Sequence, residues 1–149
     1  MPQRISLEAL AALPTVSALN VSRGGDQVAF YADWTGRFEL YTLNLKTREQ
    51  RQVTDGQAPK AIRAGFVWAT DDSRIFLSRD QDGDERQALF TLALASGEVT
   101  ALQHAPQSMD YAVDAHPDGT RLLVNSTRGG QMNVQVYDLE KEERRPGRC

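Results

Sequence analysis

Cysteine occurs once in the 149 residues, as the final residue Cys149. An internal disulfide is therefore excluded, and so is a zinc site built from cysteines. Lysine is nearly as scarce, standing only at positions 46, 60 and 141, and arginine carries most of the positive charge. The net charge is −3, with acids and arginines interspersed. No basic stripe of the kind that nucleic acid or an anionic membrane requires is present. Long apolar runs are missing too: nothing approaches the ~20 residues of a membrane-spanning helix. The opening MPQRISLEALAALP has neither an extended hydrophobic core nor a small-residue cleavage site, so no signal peptide is expected. These absences point to a cytoplasmic protein, with no nucleic acid and no membrane among its partners. Hydrophobic residues at 40% and charged ones at 25% are globular values, and the length suits one domain.

What is present is a repeat. VAFYADWTG (28–36), IFLSRDQDG (75–83) and LLVNSTRGG (122–130) begin 47 residues apart, and each reaches a glycine at its ninth position. Before each lies another short strand-like piece, VSALNVS (16–22), GFVWAT (65–70) and YAVDAH (111–116). Polar turns with Gly, Asp or Pro separate the two pieces. A third run follows each glycine: FELYTLNL (38–45), QALFTLAL (87–94) and NVQVYDL (133–139). Alternation within these runs reads as strands. A fourth run, QRQVTDG (50–56) and EVTALQ (98–103), closes the first two units, whereas the third continues into the charged, proline-broken EKEERRPGRC.

Four short antiparallel strands per ~47 residues is the signature of a β-propeller blade. The expected fold is all-β: a partial β-propeller of about three four-stranded antiparallel blades, the third incomplete, preceded by a short helix. The boundaries are a lead at 1–15, blade 1 at 16–64, blade 2 at 65–110, blade 3 at 111–140 and an off-pattern tail at 141–149. The lead predicts a helix over SLEALAAL (6–13), with Ser6 as N-cap, Leu7, Leu10 and Ala11 on one apolar face, and Pro14 after its end.

HPDGTRLLV (116–124) resembles the SPDG turn that opens the second strand of the TolB-type propeller repeat, and SRGGDQVAF (22–30) and TDDSRIFL (70–77) look like degraded copies. RDQDGDERQALFTLALASGEVTAL, in blade 2, is similar to blades of prolyl-oligopeptidase-family serine peptidases, acylaminoacyl-peptidase-like members included. The resemblance covers about residues 6–140, the equivalent of the first three blades. It implies a propeller domain that restricts peptide substrates, with the chemistry on a C-terminal α/β-hydrolase domain carrying a Ser-Asp-His triad. This chain has no Gly-x-Ser-x-Gly nucleophile elbow. No catalytic residue, cofactor or metal is therefore carried over, and a peptide substrate belongs only to a complete protein. The competing reading is a stand-alone TolB-like module for protein interaction.

The candidate site is the acidic cluster Asp80, Asp82, Asp84 and Glu85 around Gly83. An EF-hand register begun at Asp80 fails, because position 6 is Glu85 rather than glycine and position 12 is Thr91. The equivalent loops DWTGRFE and STRGGQMN keep the glycine and lose the acids. Two readings remain open: a hairpin turn with solvated carboxylates, or a weak cation or partner contact. His116 with Asp118 has the composition of a general base and its orienter, but His116 aligns with Ser22 and Thr70, where a small polar residue ends a strand. His104 lies in an inter-blade link. Phe66, Trp68 and Tyr111 are expected in the inter-blade core.

Blades bury both faces against neighbours, so three blades leave two terminal faces to be covered. The expected partner is the chain itself, closing head to tail, or else further blades and a hydrolase domain in a longer protein.

Overall fold

A computed structural model describes residues 6–80, 86–102, 107–141 and 143–146. After helix α1 (Leu7–Ala11) the described residues form twelve strands in three antiparallel four-stranded sheets. Blade 1 is β1 (Val16–Val21), β2 (Gln27–Ala32), β3 (Glu39–Asn44) and β4 (Gln50–Gln52). Blade 2 is β5 (Phe66–Trp68), β6 (Arg74–Arg79), β7 (Ala88–Ala93) and β8 (Val99–Ala101). Blade 3 is β9 (Asp110–Ala115), β10 (Arg121–Ser126), β11 (Asn133–Asp138) and β12 (Glu143–Pro146). Each sheet runs in sequence order, first strand to fourth. The array is an unclosed partial propeller.

The third blade differs from the expected three strands. The tail read as off pattern supplies β12, which pairs with β11 from Asp138↔Glu143 to Gln135↔Pro146. Backbone groups on an open sheet edge accept a partner regardless of its side chains, and charge and proline are what edge strands tolerate. A pattern search for apolar alternation misses such a strand.

Burial explains the rest of the pattern. The second strand of blade 2, β6, is sandwiched between blades, so both of its faces are covered and it reads as a continuous apolar run, whereas β10 of the terminal blade 3 alternates in burial. Ala29, Tyr31 and Leu40 of blade 1 pack with Phe66, Trp68, Ile75, Leu77, Phe90 and Leu92 of blade 2. Val67, Phe76 and Leu89 on the other face of blade 2 pack with Leu122, Val124 and Tyr137 of blade 3. Each Leu, Ile or Phe buried in this way is worth about 1.5–3 kcal/mol. The outermost β4, Gln-Arg-Gln, is exposed throughout, with Arg51 reaching the Leu94 carbonyl of blade 2.

Polar contacts tie the inner strands together. The Asn20 side-chain amide donates to the Phe66 carbonyl (3.3 Å), and the Trp68 indole N–H donates to the Asn20 carbonyl (3.2 Å). Trp68 and Phe66 are thus core, as expected. Tyr111 is not: it is only half-buried and pairs with Asn125 on the side of blade 3 that faces no further blade.

Helix α1 forms where expected, with Ser6 Oγ accepting the Ala9 N–H (3.1 Å). Its Leu7 and Leu10 are exposed, so the cap and propensity hold the turn and packing does not. The two terminal blade faces are not alike. On blade 1, Val28, Phe30, Ala32 and Tyr41 form a buried cluster of their own. On blade 3, Val134 stands 51% exposed.

Candidate functional site

The turns of the three blades gather at two ends of the array. At one end lie the turns between first and second strands. Ser22, Ala69 and His116 each accept, on the main-chain carbonyl, an N–H from three residues on: Gly25 (3.0 Å), Asp72 (3.1 Å) and Gly119 (2.9 Å). The structural equivalent of His116 in blade 2 is therefore Ala69 and not Thr70, a one-residue correction. The carbonyl that closes the turn, rather than the polarity of the side chain, defines the repeat. Gly25, Asp72 and Gly119 all have positive φ, at 76°, 56° and 75°.

His116 serves this turn. Its Nδ1 lies 2.9 Å from Asp118 Oδ2, and Arg121 donates to the same carboxylate oxygen at 2.6 Å. The Thr120 N–H and hydroxyl donate to Asp118 Oδ1 at 2.9 and 3.0 Å. The Thr120 N–H first, and then Arg121, hold the Asp118 carboxyl well below the usual carboxylate range. The imidazole's polar contacts are thus with the groups that close its own turn, and no serine stands among them.

Two contacts at this end span blades, and pattern reading missed both. Asp72 accepts the Arg23 N–H (2.6 Å) and the Gly24 N–H (2.7 Å), clamping the blade 1 turn to that of blade 2. The Arg23 guanidinium continues to Asp114 on the inner strand of blade 3 and to the Ala115 carbonyl (3.3 Å). The signal for the clamp was in the repeat: an aspartate stands where the other two blades have glycine.

The acidic turn lies at the opposite end, between β6 and β7. Blade 1 joins the equivalent strands through 33–38 and blade 3 through 127–132, six residues each, while blade 2 uses the eight residues 80–87. The connection that carries the acids is therefore two residues longer than its equivalents. Gly36 and Gly130 hold the same left-handed backbone, with φ of 86° and 83°. Their N–H groups close on Asp33 and Thr127 (both 2.9 Å), so a residue free to adopt positive φ is required there. Asp80 is half-buried at the end of β6. Asp82, Asp84 and Glu85, with Gly83, lie outside the described residues, as do His104 and Cys149.

The base of this turn is fixed. The Arg79 guanidinium lies over the Phe90 ring, 4.4 Å from its centroid, and donates to the Gln57 carbonyl (2.7 Å). Burial pulls the Arg79 pKa below its ordinary value, and Asp80 beside it offsets part of that. At the other foot Gln87 is buried, and its carbonyl accepts the Asp110 N–H of blade 3 (2.8 Å). Flanking turns carry buried carboxylates paired to arginine. Glu39 lies 2.9 Å from Arg37 Nε and accepts from the Thr54 hydroxyl (2.5 Å) and the Gly56 N–H (2.7 Å). Asp110 lies 3.7 Å from Arg128 Nη2. Glu39 went unnoticed in the sequence because a carboxylate beside an apolar strand reads as solvent-facing until its partners are known. Among the described residues, no three of His, Cys, Asp and Glu converge on a point where a metal would bind. No described helix is long and apolar enough to cross a membrane. At this end the carboxylates of Glu39 and Asp110 are thus buried beside arginines rather than presented to solvent.

No family model matches this sequence, and no curated protein matches it. Solved structures do match its fold. TolB from Acinetobacter baumannii superposes with a TM-score of 0.72 at 16% identity, over 89% of this chain and 32% of its own. Puromycin hydrolase matches at 0.68 and 18% identity, over 91% of this chain and 22% of its own. A prolyl endopeptidase matches at 0.66 and 17%, over 89% and 22%. At such identities the likeness defines the fold. The chain is an open array of TolB-type propeller blades, of the kind also found in prolyl-endopeptidase structures. It spans less than a third of the length of these three proteins.

Proposed function

We propose that this chain is a non-catalytic propeller segment that contributes to a substrate gate over a prolyl-oligopeptidase-type serine hydrolase domain. The observation that carries this reading is the match of nearly the whole chain to 22% of a prolyl endopeptidase and of puromycin hydrolase. The acidic stretch of blade 2 adds support, since its sequence resembles a blade turn typical of those peptidases and its connection is two residues longer than those of the other blades. In such a gate the turn would face the path of a short peptide or the neighbouring domain. A cytoplasmic setting goes with this reading, because the single cysteine leaves no internal disulfide to maintain.

A second reading, a TolB-like interaction module, is favoured by the TM-score of 0.72 to TolB. The reading frame beyond codon 149 discriminates the two. A Gly-x-Ser-x-Gly followed by Asp and His supports the gate, while further blades and then a stop codon support the module. A fluorogenic peptide assay on the 149-residue chain is expected to show no turnover under either reading. Robust hydrolysis that survives purification controls would overturn both.

A further inference from the structure

The strands of blades 1 and 3 do not meet. Main-chain approach between strands of different blades is confined to β1 with β5 and to β5, β6 and β7 with β9, so blade 2 separates the outer two. Repeat arrays are ordinarily held by contacts between neighbours alone. Each of the two packed interfaces is then a place where the array can bend, and the angle between blades 1 and 3 accumulates both. Here one side chain crosses the gap. Arg23 leaves the blade 1 turn and pairs with Asp114 of β9, and its second acceptor on blade 3 is the Ala115 carbonyl at 3.3 Å.

Both ends of this arm are anchored. Asp72 holds the Arg23 and Gly24 N–H groups at 2.6 and 2.7 Å, which fixes the root of the side chain on blade 2. Asp114 Oδ1 also accepts the Ala115 N–H at 2.9 Å, which orients the carboxylate. The arm borders a recess of about 220 Å³ on the inner strands, lined also by Asn20, Val67, Trp68 and Val113. Arg23 is 44% exposed and Asp114 60%, so the pair lies in water. An exposed ion pair adds little to stability, and salt screens it. Such a pair biases geometry rather than holding the fold.

We propose that Arg23 and Asp114 form a latch that sets the angle between blades 1 and 3, and with it the spread of the inner strands at this end of the array. With the latch engaged, the three blades move as one body. With it released, the two interfaces bend separately. The latch uses residues of these three blades alone, and it stands under either reading of the function.

Distances between paired spin labels test it, on the 149-residue chain carrying Cys149→Ser and diluted with unlabelled chain. Labels at Glu49→Cys and Glu140→Cys, both exposed, report blade 1 against blade 3. Labels at Glu49→Cys and Glu98→Cys, also exposed, report blade 1 against blade 2. Arg23→Gln removes the arm but keeps the main-chain N–H that Asp72 holds. It should broaden the distance distribution of the outer pair more than that of the neighbouring pair, with an unchanged urea midpoint. Asp114→Asn should do the same, and the double variant should broaden it no further than either single one. In the chain without these substitutions, salt at about 1 M, where the screening length falls to about 3 Å, should reproduce the broadening. An outer distribution unchanged by Arg23→Gln, additive broadening in the double variant, or indifference to salt would overturn the proposal. So would a lowered urea midpoint with unchanged distances, because the pair would then hold the fold rather than set its angle.

Discussion

At single residues, the turns turn backbone geometry into stability. Gly25, Gly97 and Gly119 all hold positive φ, but their surroundings differ. A Cβ on Gly25 would meet nothing within 4 Å, one on Gly119 would lie 2.9 Å from the Thr70 hydroxyl, and one on Gly97 would lie 2.9 Å from the Val53 carbonyl. Left-handed backbone costs an alanine about 1 kcal/mol. A hydroxyl can rotate away, whereas a main-chain carbonyl cannot. The cost of substitution by alanine should therefore rise in the order Gly25, Gly119, Gly97, read from urea midpoints. Asp118 offers a test by titration. Its depressed carboxyl pKa gives a stability contribution present above the ordinary 3.8 and lost as pH falls through the lower folded value. Arg121→Gln should raise the Asp118 pKa towards the ordinary range but leave it below, because the larger influence, the Thr120 N–H, remains. An NMR titration of the carboxyl carbon checks this, and a return to the full ordinary value would contradict it. The structural glycine of the blade 1 and blade 3 turns was legible in the sequence, since Gly36 and Gly130 recur at the repeat spacing. The Asp72 clamp showed in the sequence only as an aspartate where the other blades have glycine; its partners Arg23 and Gly24 lie just over a full repeat away and could not be read.

At the level of elements, strand existence followed from pattern and strand boundaries from hydrogen bonding. Blade 2 shows why: its third strand arrives two residues late relative to blade 1, a shift concealed by the coincidence of the glycines. β12 shows the reverse case, a strand made by an open edge rather than by its own side chains. The linker after β4 depends on a buried carboxylate. Glu39 is 1% exposed and faces three donors, from Arg37, Thr54 and Gly56. Glu39→Gln would turn an amide NH₂ towards one of those donors. It should destabilise the chain by about 2 kcal/mol, since it weakens charged hydrogen bonds and leaves a buried donor unmatched. Thermal or urea unfolding of the variant measures this, and a neutral effect would show that the linker is held by other contacts.

On the scale of the whole molecule, the three blades form two interfaces of one kind. The array is asymmetric in a way that repeat counting did not anticipate. Blade 1 has sealed much of its free face with its own aromatic rings, and blade 3 has not. The absence of turnover expected in the peptide assay belongs to this scale, because it depends on what the blades lack rather than on any one side chain.

The sequence by itself determined the blade repeat, the all-β class and the turn glycines. These depend on local backbone preference and on a periodicity that recurs along the chain. Only the tertiary structure decided which acids are buried, which turns clamp one another and which face stays open. The clamps rest on contacts between residues one or two repeats apart, and the buried carboxylates on partners brought in from neighbouring strands and linkers; no local pattern encodes the partner of a side chain at such distances.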